Sequence, residues 1–371
     1  MAGHKTSAWP LGGVYAGLIV YASLYPFADW RDQGPWPWTF LWAPWPVYWT
    51  AFDLWANVLG YAPLGFLLAL GALRSGRGRH ALAWATLAAS LLALTLEALQ
   101  SYLPARVPSN VDWALNTLGA GAGALAAVVL ERCGAIDRWM HFRARWFVPQ
   151  ARGALVLIAL WPLALLFPAP VPLGLGQVFE RLEAAVAELL LDTPFLDWLP
   201  VRQLELQPLL PAAEVACVLL GALIPVLLGY TVIPARARRL LYLLAVLVAG
   251  AAATLLSYAL SYGPAHAWAW LQPSVALGLA LAVVLALGLA LLGVSARPAA
   301  GLLLLALGVY LTLINQAPSS VYYAQTLQTW EQGRFIRFHG MAQWLAWVWP
   351  YAVLVYGLVR LGEQRPPTIG A

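Results

Sequence analysis

Runs of about 20 consecutive apolar residues recur along the whole 371-residue chain, and they constrain its fold more than any other feature. A helix needs about 20 such residues to cross a bilayer, and backbone groups in lipid must pair within the spanning element. The composition agrees, because 62% of the residues are hydrophobic and 10% are charged, against roughly 25% charged residues in soluble domains. The sequence therefore predicts an all-α, polytopic, integral membrane helical bundle.

Ten of these runs each predict one transmembrane helix. They are residues 10–28, 53–73, 81–103, 113–130, 153–170, 212–234, 240–262, 273–294, 300–316 and 344–361. The first run lacks a separate cleavage site, so we expect it to remain as an anchor. Small residues in GAGAGALAA (119–127) predict that the fourth helix approaches its neighbours closely.

The distribution of cations predicts the orientation of the bundle. If the N-terminus lies in the cytoplasm, 15 of the 21 Lys and Arg residues fall on the inner side and 6 on the outer side. We therefore expect both termini in the cytoplasm, and a multi-pass protein of the bacterial cytoplasmic (inner) membrane. The net charge of +5 does not indicate a nucleic-acid partner, because RSGRGRH (74–80) and PARARR (234–239) are turns that face anionic membrane lipid.

Two stretches between the predicted spans are expected at the outer interface. DWRDQGPWPWTFLWAPWPVYW (29–49) has the aromatic content of an interfacial loop, although tryptophan also stacks on sugars, and both interpretations stay open. Residues 174–207 alternate apolar and acidic side chains at helical spacing, which predicts an amphipathic helix along the surface.

The two halves of the chain resemble each other weakly. YAPLGFLLALGALRSGR (61–77) has a counterpart in LIPVLLGYTVIPARARR (223–239), which pairs Pro63 with Pro225. This similarity predicts a parallel duplication of a four-helix unit. The expected divisions are residues 1–152, a degenerate second unit at 153–298, and two further helices at 299–371.

Polar residues distinguish the first unit from the second. The substrate-binding candidates are Asp53, Asn57, Glu97, Gln100, Arg106, Asp112 and Asn116, and Asn110 is a further polar residue of the same region. Spacings of three or four residues place a carboxylate and an amide on one face of each of three neighbouring helices. Because all lie near the outer helix ends, the pattern predicts a polar site with the loop at 103–112 above it.

Glu97 is the candidate with the greatest energetic burden. It is expected about six residues, or roughly 9 Å, below the outer end of its helix. A carboxylate within a membrane costs about 2.5–3.5 kcal/mol on insertion scales, so it needs polar partners or a water-filled cleft. This requirement indicates a functional role.

The other candidates have structural alternatives that stay open. Asp53 and Asp112 stand where N-caps are favoured. Asn57 and Asn116 are suited to hydrogen bonds between neighbouring helices. Arg106 is also interpretable as an ordinary loop charge.

A second polar patch precedes the last span, within WEQGRFIRFHGMAQWLAWVWP (330–350). Arg334, Arg337 and His339 stand among aromatic residues, a combination that binds phosphate or acidic sugars. The alternative is an interfacial elbow with snorkelling arginines. We expect no metal and no cofactor, and the two cysteines are not expected to form a disulfide.

The polar pattern resembles the VanZ-like membrane family. The resemblance rests on DLWANVLGYAPLGFLL (53–68) and EALQSYLPARVPSNVDWALNTLGAGAG (97–123). The matching positions are Asp53, Asn57, Pro63, Leu64, Gly65, Glu97, Gln100, Arg106, Asp112, Asn116 and Gly119. The similarity covers about residues 10–130, and it implies a role in the cell envelope without implying a mechanism.

Three functional hypotheses follow. The first is a protein that binds or moves a lipid-linked or polar envelope precursor, such as a lipid-linked glycan, at the outer face. The second is a membrane enzyme that acts on a lipid phosphate or glycolipid, with Glu97 as acid or base and Arg106 as a phosphate clamp. The third is a structural or assembly factor in which polar faces only join helices.

Overall fold

A computed structural model describes residues 6, 8–25, 27, 29–45, 51–104, 106–198, 208–318 and 336–362, with the side chains of 51–53 and 336–341 excepted. Every regular element within these residues is a helix, and none of them forms a strand, which confirms the all-α prediction. The chain divides into two compact units, Met1–Phe142 (unit 1) and Arg143–Ala371 (unit 2). The predicted three-part division and the duplication stay predictions.

Unit 1 is built on four apolar helices. They are α1 (Ala8–Leu24), α2 (Ala51–Arg74), α3 (Ala81–Gln100) and α4 (Asn110–Arg132), with short 3₁₀ helices at Thr39–Trp42 and Gly78–His80. The basic helix α5 (Ala135–Trp146) has no buried residue and runs across the boundary between the units. The charge count predicts that α2 and α4 begin at the outer membrane face, and we call this end of unit 1 the outer end.

Unit 2 contains seven further helices within the described residues. They are α6 (Arg152–Ala164), α7 (Phe179–Leu189), α8 (Pro211–Tyr230), α9 (Arg236–Tyr262), α10 (Pro273–Leu292), α11 (Ala296–Ile314) and α12 (Ile336–Gly362), with 3₁₀ helices at Leu196–Trp198 and Pro264–His266.

Ten apolar helices lie at the ten predicted positions, and eight of them are long and apolar enough to cross a membrane by the described residues alone. The other two are α1, with 17 residues, and α6, with 13 residues. Helix α6 is shorter than the predicted span 153–170 because Pro168 and Pro170 cannot donate backbone hydrogen bonds. The chain is therefore a polytopic helical membrane protein.

Glycines let α2 and α4 approach each other until backbone meets backbone. A Cβ on Gly119 would overlap the Val58 carbonyl group, and a Cβ on Gly123 would overlap the Ala62 carbonyl group. On the α2 side, a Cβ on Gly65 would likewise overlap the Ala120 carbonyl group of α4. The close approach predicted for the fourth helix is confirmed, and it draws the first turns of α2 and α4 together at the outer end.

The interior of unit 2 contains a non-helical segment at residues 171–176, all of which are buried. Its backbone bonds to side chains and backbone of neighbouring helices, which is how irregular backbone is tolerated in a membrane protein interior. The helix predicted over 174–207 therefore covers only Phe179–Leu189, because residues 174–176 belong to this buried segment and turns follow α7. Residues 199–207 lie outside the described part of the chain.

Candidate functional site

The buried stripe of α3 ends in a carboxylate. Alanines occur at every fourth position along this stripe, at Ala81, Ala85, Ala89 and Ala93, and Glu97 is the next member. Glu97 is 5% exposed, so its side chain faces the interior of unit 1. Its position on this stripe, and not only its charge, directs it inward.

Glu97 lies nearer to the end of its helix than the sequence predicts. Helix α3 ends at Gln100 instead of residue 103, because the residue before Pro104 disfavours helical geometry. A carboxylate in the last turn is opposed by the negative end of the dipole of its own helix. Glu97 therefore depends on partners from elsewhere in unit 1.

The main partner of Glu97 is the start of α4. The carboxylate oxygen Oε2 accepts a hydrogen bond of 2.8 Å from the backbone N–H of Ser109, the N-cap residue of α4. The positive end of the α4 dipole favours an anion at this place. Glu97 also interacts electrostatically with Tyr61, a buried residue of α2. The carboxylate thus joins α3 to the first turn of α4.

Ser109, and not Asp112, caps α4. The Ser109 hydroxyl accepts a hydrogen bond from the Asp112 backbone N–H at 3.4 Å, so Asp112 occupies the third helical position. The capping interpretation of Asp112 is therefore wrong. Its carboxylate oxygen Oδ1 instead accepts a hydrogen bond of 2.9 Å from the Asn57 side-chain amide of α2. Asp53 lies inside α2, which has begun by Ala51, and its side chain is outside the described part.

Three other polar residues bind backbone carbonyl groups around the outer end. Arg106 donates to the Tyr25 carbonyl at 2.9 Å and to the Ala22 carbonyl at 3.3 Å. Gln100 donates to the Ser23 carbonyl at 3.0 Å. The last carbonyls of a helix lack partners within it, so these two residues satisfy the end of α1.

Asn110 has a similar role toward the loop between α1 and α2. Its amide donates to the Ala43 carbonyl at 2.7 Å. This loop contains Trp36 and Trp42, whose rings are exposed and nearly parallel with centroids 6.4 Å apart. Both the interfacial and the sugar-stacking interpretations of the loop stay predictions.

Asn116 differs from the other candidates. It lies one turn after Asp112 on the same face of α4 and is 6% exposed. Its side-chain oxygen Oδ1 has no hydrogen-bond partner among the residues that the structure describes. A buried acceptor without a partner costs roughly 1–3 kcal/mol, so this atom is suited to accept a hydrogen bond from a bound molecule.

The structure thus brings Asn57, Glu97 and Asp112 together with the N-terminus of α4, while Gln100 and Arg106 bind the end of α1. Arg334 lies outside the described residues, and so do the side chains of Arg337 and His339. Both cysteines, Cys133 and Cys217, are free. Within the described part of the chain, no group of three or more His, Cys, Asp or Glu residues could hold a metal ion.

Sequence reasoning missed one member of this site, Ser109. The signal was present, because Ser109 and Asp112 form the Ser-x-x-acid pattern that precedes a helix. In a capping box the acid at the third position binds the N-cap backbone N–H. Here Glu97 of α3 binds that N–H, and Asp112 is left to bind Asn57.

The comparison with known proteins agrees with the resemblance seen in the sequence. The model of the VanZ/LLP1 family matches residues 6–131, which contain the four apolar helices of unit 1 except for the last residue of α4, and every described residue of the site. No curated protein and no solved structure matches the chain. The protein is a multi-pass membrane protein whose first part, residues 6–131, is VanZ-like.

Proposed function

We propose that unit 1 binds the polar head group of a lipid-linked envelope precursor at its outer end, in the bacterial cytoplasmic membrane. The observation that supports this proposal is the unpartnered oxygen of Asn116, on the same face of α4 as Asp112. Sugar hydroxyls donate hydrogen bonds to such an acceptor. The lipid part of the ligand would remain among the apolar helices.

The chemistry of the site favours a glycosylated head group over a bare phosphate. The acidic side chains of Glu97 and Asp112 repel anions, and Arg106 already donates to carbonyl groups of α1. Sugar hydroxyl groups are neutral donors, so the carboxylates do not repel them and they do not need Arg106 as a partner. We therefore assign the phosphate of the precursor to the rim of the site and its sugar to Asn116.

The test compares the binding of polyprenyl phosphate and of a polyprenyl-diphosphate-linked sugar to the purified protein, by native mass spectrometry. Asn116→Leu keeps the size of the side chain and removes the acceptor. We expect the variant to lose at least about tenfold in affinity for the glycosylated lipid, the worth of one hydrogen bond. Its affinity for polyprenyl phosphate should stay unchanged.

Asn57→Leu serves as the matched control. It removes an amide from the same site, but one that is already bound to Asp112. We expect this variant to lose stability and, once folded, to keep its preference for the glycosylated lipid. Equal binding of that lipid by wild type and Asn116→Leu would falsify the proposal.

A second candidate function, that of an assembly scaffold, is favoured by the other polar contacts. Glu97, Asn57 and Gln100 each join two elements of unit 1. In a scaffold, Glu97→Gln would lower the melting temperature, because a charged acceptor becomes neutral. The folded fraction would then support envelope growth as well as wild type does. A folded but inactive variant would argue against the scaffold.

A further inference from the structure

The inner end of unit 1, opposite the site described above, contains a cavity of ≈ 360 Å³. Its walls come from α1, the end of α2, the following turn and the start of α3. Two tryptophans and three basic residues dominate the lining: Trp9, Arg77, Arg79, His80 and Trp84. This volume falls within the range typical of small-molecule sites.

The tryptophans form a fixed apolar wall. The Trp9 indole N–H donates to the Ser75 hydroxyl at 3.0 Å, and its ring packs on Gly71, where a Cβ would lie 2.9 Å from the indole. Trp84 meets Trp9 edge to face, with centroids 5.5 Å apart. Trp84 is 43% exposed, so one side of this wall remains open.

Among the residues that the structure describes, no carboxylate forms an ion pair with the cations of the cavity. Arg74, which lies just before the turn, forms ion pairs with Glu131 at 3.2 Å and Asp137 at 3.1 Å. Arg77 and Arg79 form no ion pair within the described residues. The protein thus neutralises the arginine outside the cavity and leaves the two arginines that line it available.

The start of α3 adds a further positive contribution. His80 is the N-cap residue of this 20-residue helix, and its side chain makes no capping hydrogen bond. The Ala81 N–H already bonds to the Gly78 carbonyl, but the positive end of the α3 dipole still favours an anion near His80. A guanidinium pair, the positive end of a helix dipole and an indole wall therefore meet at one cavity.

We propose that this cavity binds the phosphate group of an anionic phospholipid from the inner leaflet. Arginine guanidinium groups match phosphate oxygens in geometry and charge. The indole rings suit the glycerol and the first methylene groups, because tryptophan favours the headgroup layer. A free phosphate ion would use the arginines but gain nothing from the tryptophans. The occupant is therefore a lipid.

The full-length protein in nanodiscs or detergent tests this proposal by native mass spectrometry with phosphatidic acid, phosphatidylglycerol, phosphatidylcholine and inorganic phosphate as probes. Arg77→Gln/Arg79→Gln removes both cations. The control, Arg132→Gln/Arg143→Gln, removes the same charge from the same predicted side of the membrane, outside the cavity. We expect the first variant to lose about 30-fold in affinity for the anionic lipids, and the control about threefold or less.

Two further variants separate the source of the phosphate and the contribution of charge. Trp84→Ala should weaken lipid binding and leave the response to inorganic phosphate unchanged. Arg77→Lys/Arg79→Lys keeps the charge but not the planar guanidinium groups, so its loss of lipid binding should be smaller than that of Arg77→Gln/Arg79→Gln and larger than that of the control. Equal losses in the first variant and the control would overturn the proposal, as would phosphatidylcholine binding as tight as that of the anionic lipids. Binding of inorganic phosphate without binding of lipid would overturn the lipid assignment.

Discussion

Two asparagines, Asn116 in unit 1 and Asn315 in unit 2, are equally buried at 6% exposure and differ in their partners. The side-chain oxygen of Asn315 accepts hydrogen bonds from the Val178 and Phe179 backbone N–H groups at 2.9 and 3.0 Å, and its amide donates to the Gly176 carbonyl at 3.1 Å. The oxygen of Asn116 has no partner in the described part of the chain. The same side chain is thus fully used by the fold in unit 2, whereas in unit 1 its oxygen is not bonded by the described residues, which is the feature on which the proposed function rests.

The two units also differ in the groups that bind their buried polar backbone at these two places. Unit 2 holds its buried segment with neutral groups, since Tyr310 and Tyr351 donate to the Leu173 and Gly176 carbonyls at 3.3 and 3.2 Å. Unit 1 instead uses a carboxylate, Glu97, at the outer end. Polar groups in a membrane interior therefore do not indicate function by themselves. The informative observation is whether the protein already satisfies them.

The largest loss of stability is expected for a substitution at the contact between α2 and α4 in unit 1. Gly123→Ala should cost about 3 kcal/mol or more of the free energy of unfolding, because its Cβ overlaps the Ala62 carbonyl group of α2. In unit 2, Gly278→Ala should cost less, since its Cβ would lie 2.8 Å from the Val215 carbonyl oxygen. Thermal unfolding in detergent measures both.

The control for these glycine variants lies in the same helix. A Cβ on Gly121 would lie 3.6 Å from the Thr86 side chain, an ordinary contact. We expect Gly121→Ala to change the free energy of unfolding by less than about 1 kcal/mol. The higher helix propensity of alanine should partly offset the energy of any small shift of the Thr86 side chain. Equal losses for Gly121→Ala and Gly123→Ala would contradict the close approach of α2 and α4.

Asn315→Leu should have the next largest effect, a loss of about 3 kcal/mol. The variant leaves the Val178 and Phe179 backbone N–H groups, at the start of α7, without their acceptor, and each such group costs roughly 1–3 kcal/mol. The Gly176 carbonyl keeps its hydrogen bond from the Tyr351 hydroxyl. Gln316→Leu, at the exposed neighbouring position, should change stability by about 0.5 kcal/mol or less. A mild effect of Asn315→Leu would mean that the segment does not depend on this amide.

The hydrogen bond between Asn57 and Asp112 should give an intermediate effect. A double-mutant cycle with Asn57→Leu and Asp112→Leu isolates the interaction between the two side chains. We expect a coupling free energy of about 2 kcal/mol, because the acceptor is charged. Additive losses of stability would show that the two side chains do not stabilise each other. In that case Asn57 of α2 would not belong to the polar site.

The smallest effect on stability is expected for Asn116→Leu. The variant removes a buried acceptor that has no partner, so the ligand-free protein should keep its stability or gain up to about 1 kcal/mol. Its melting temperature without added lipid checks this expectation. A loss comparable to that of Asn315→Leu would mean that the protein itself satisfies Asn116, and the contrast between the two asparagines would disappear.

Much of the fold was predictable from local sequence. Apolar runs located the ten apolar helices, because a chain in lipid must pair its backbone groups within each helix. The alanines of α3 at every fourth position were a further signal that Glu97 faces inward, although this signal did not enter the sequence-based predictions. The buried segment before α7 was not predictable, since its apolar and proline-rich sequence suits a lipid-facing turn equally well.

For the polar site, the sequence was enough to predict that Asn57, Glu97 and Asp112 lie near one end of the bundle, because helical spacing fixes the face and the apolar runs fix the depth. Their hydrogen-bond partners depend on how the helices pack. Glu97 binds Ser109, Asp112 binds Asn57, and Arg106 binds the end of α1. A hydrogen bond requires its two heavy atoms to lie about 3 Å apart. The partner of each side chain therefore depends on how helices that are distant in sequence pack together, and local sequence patterns do not predict that packing.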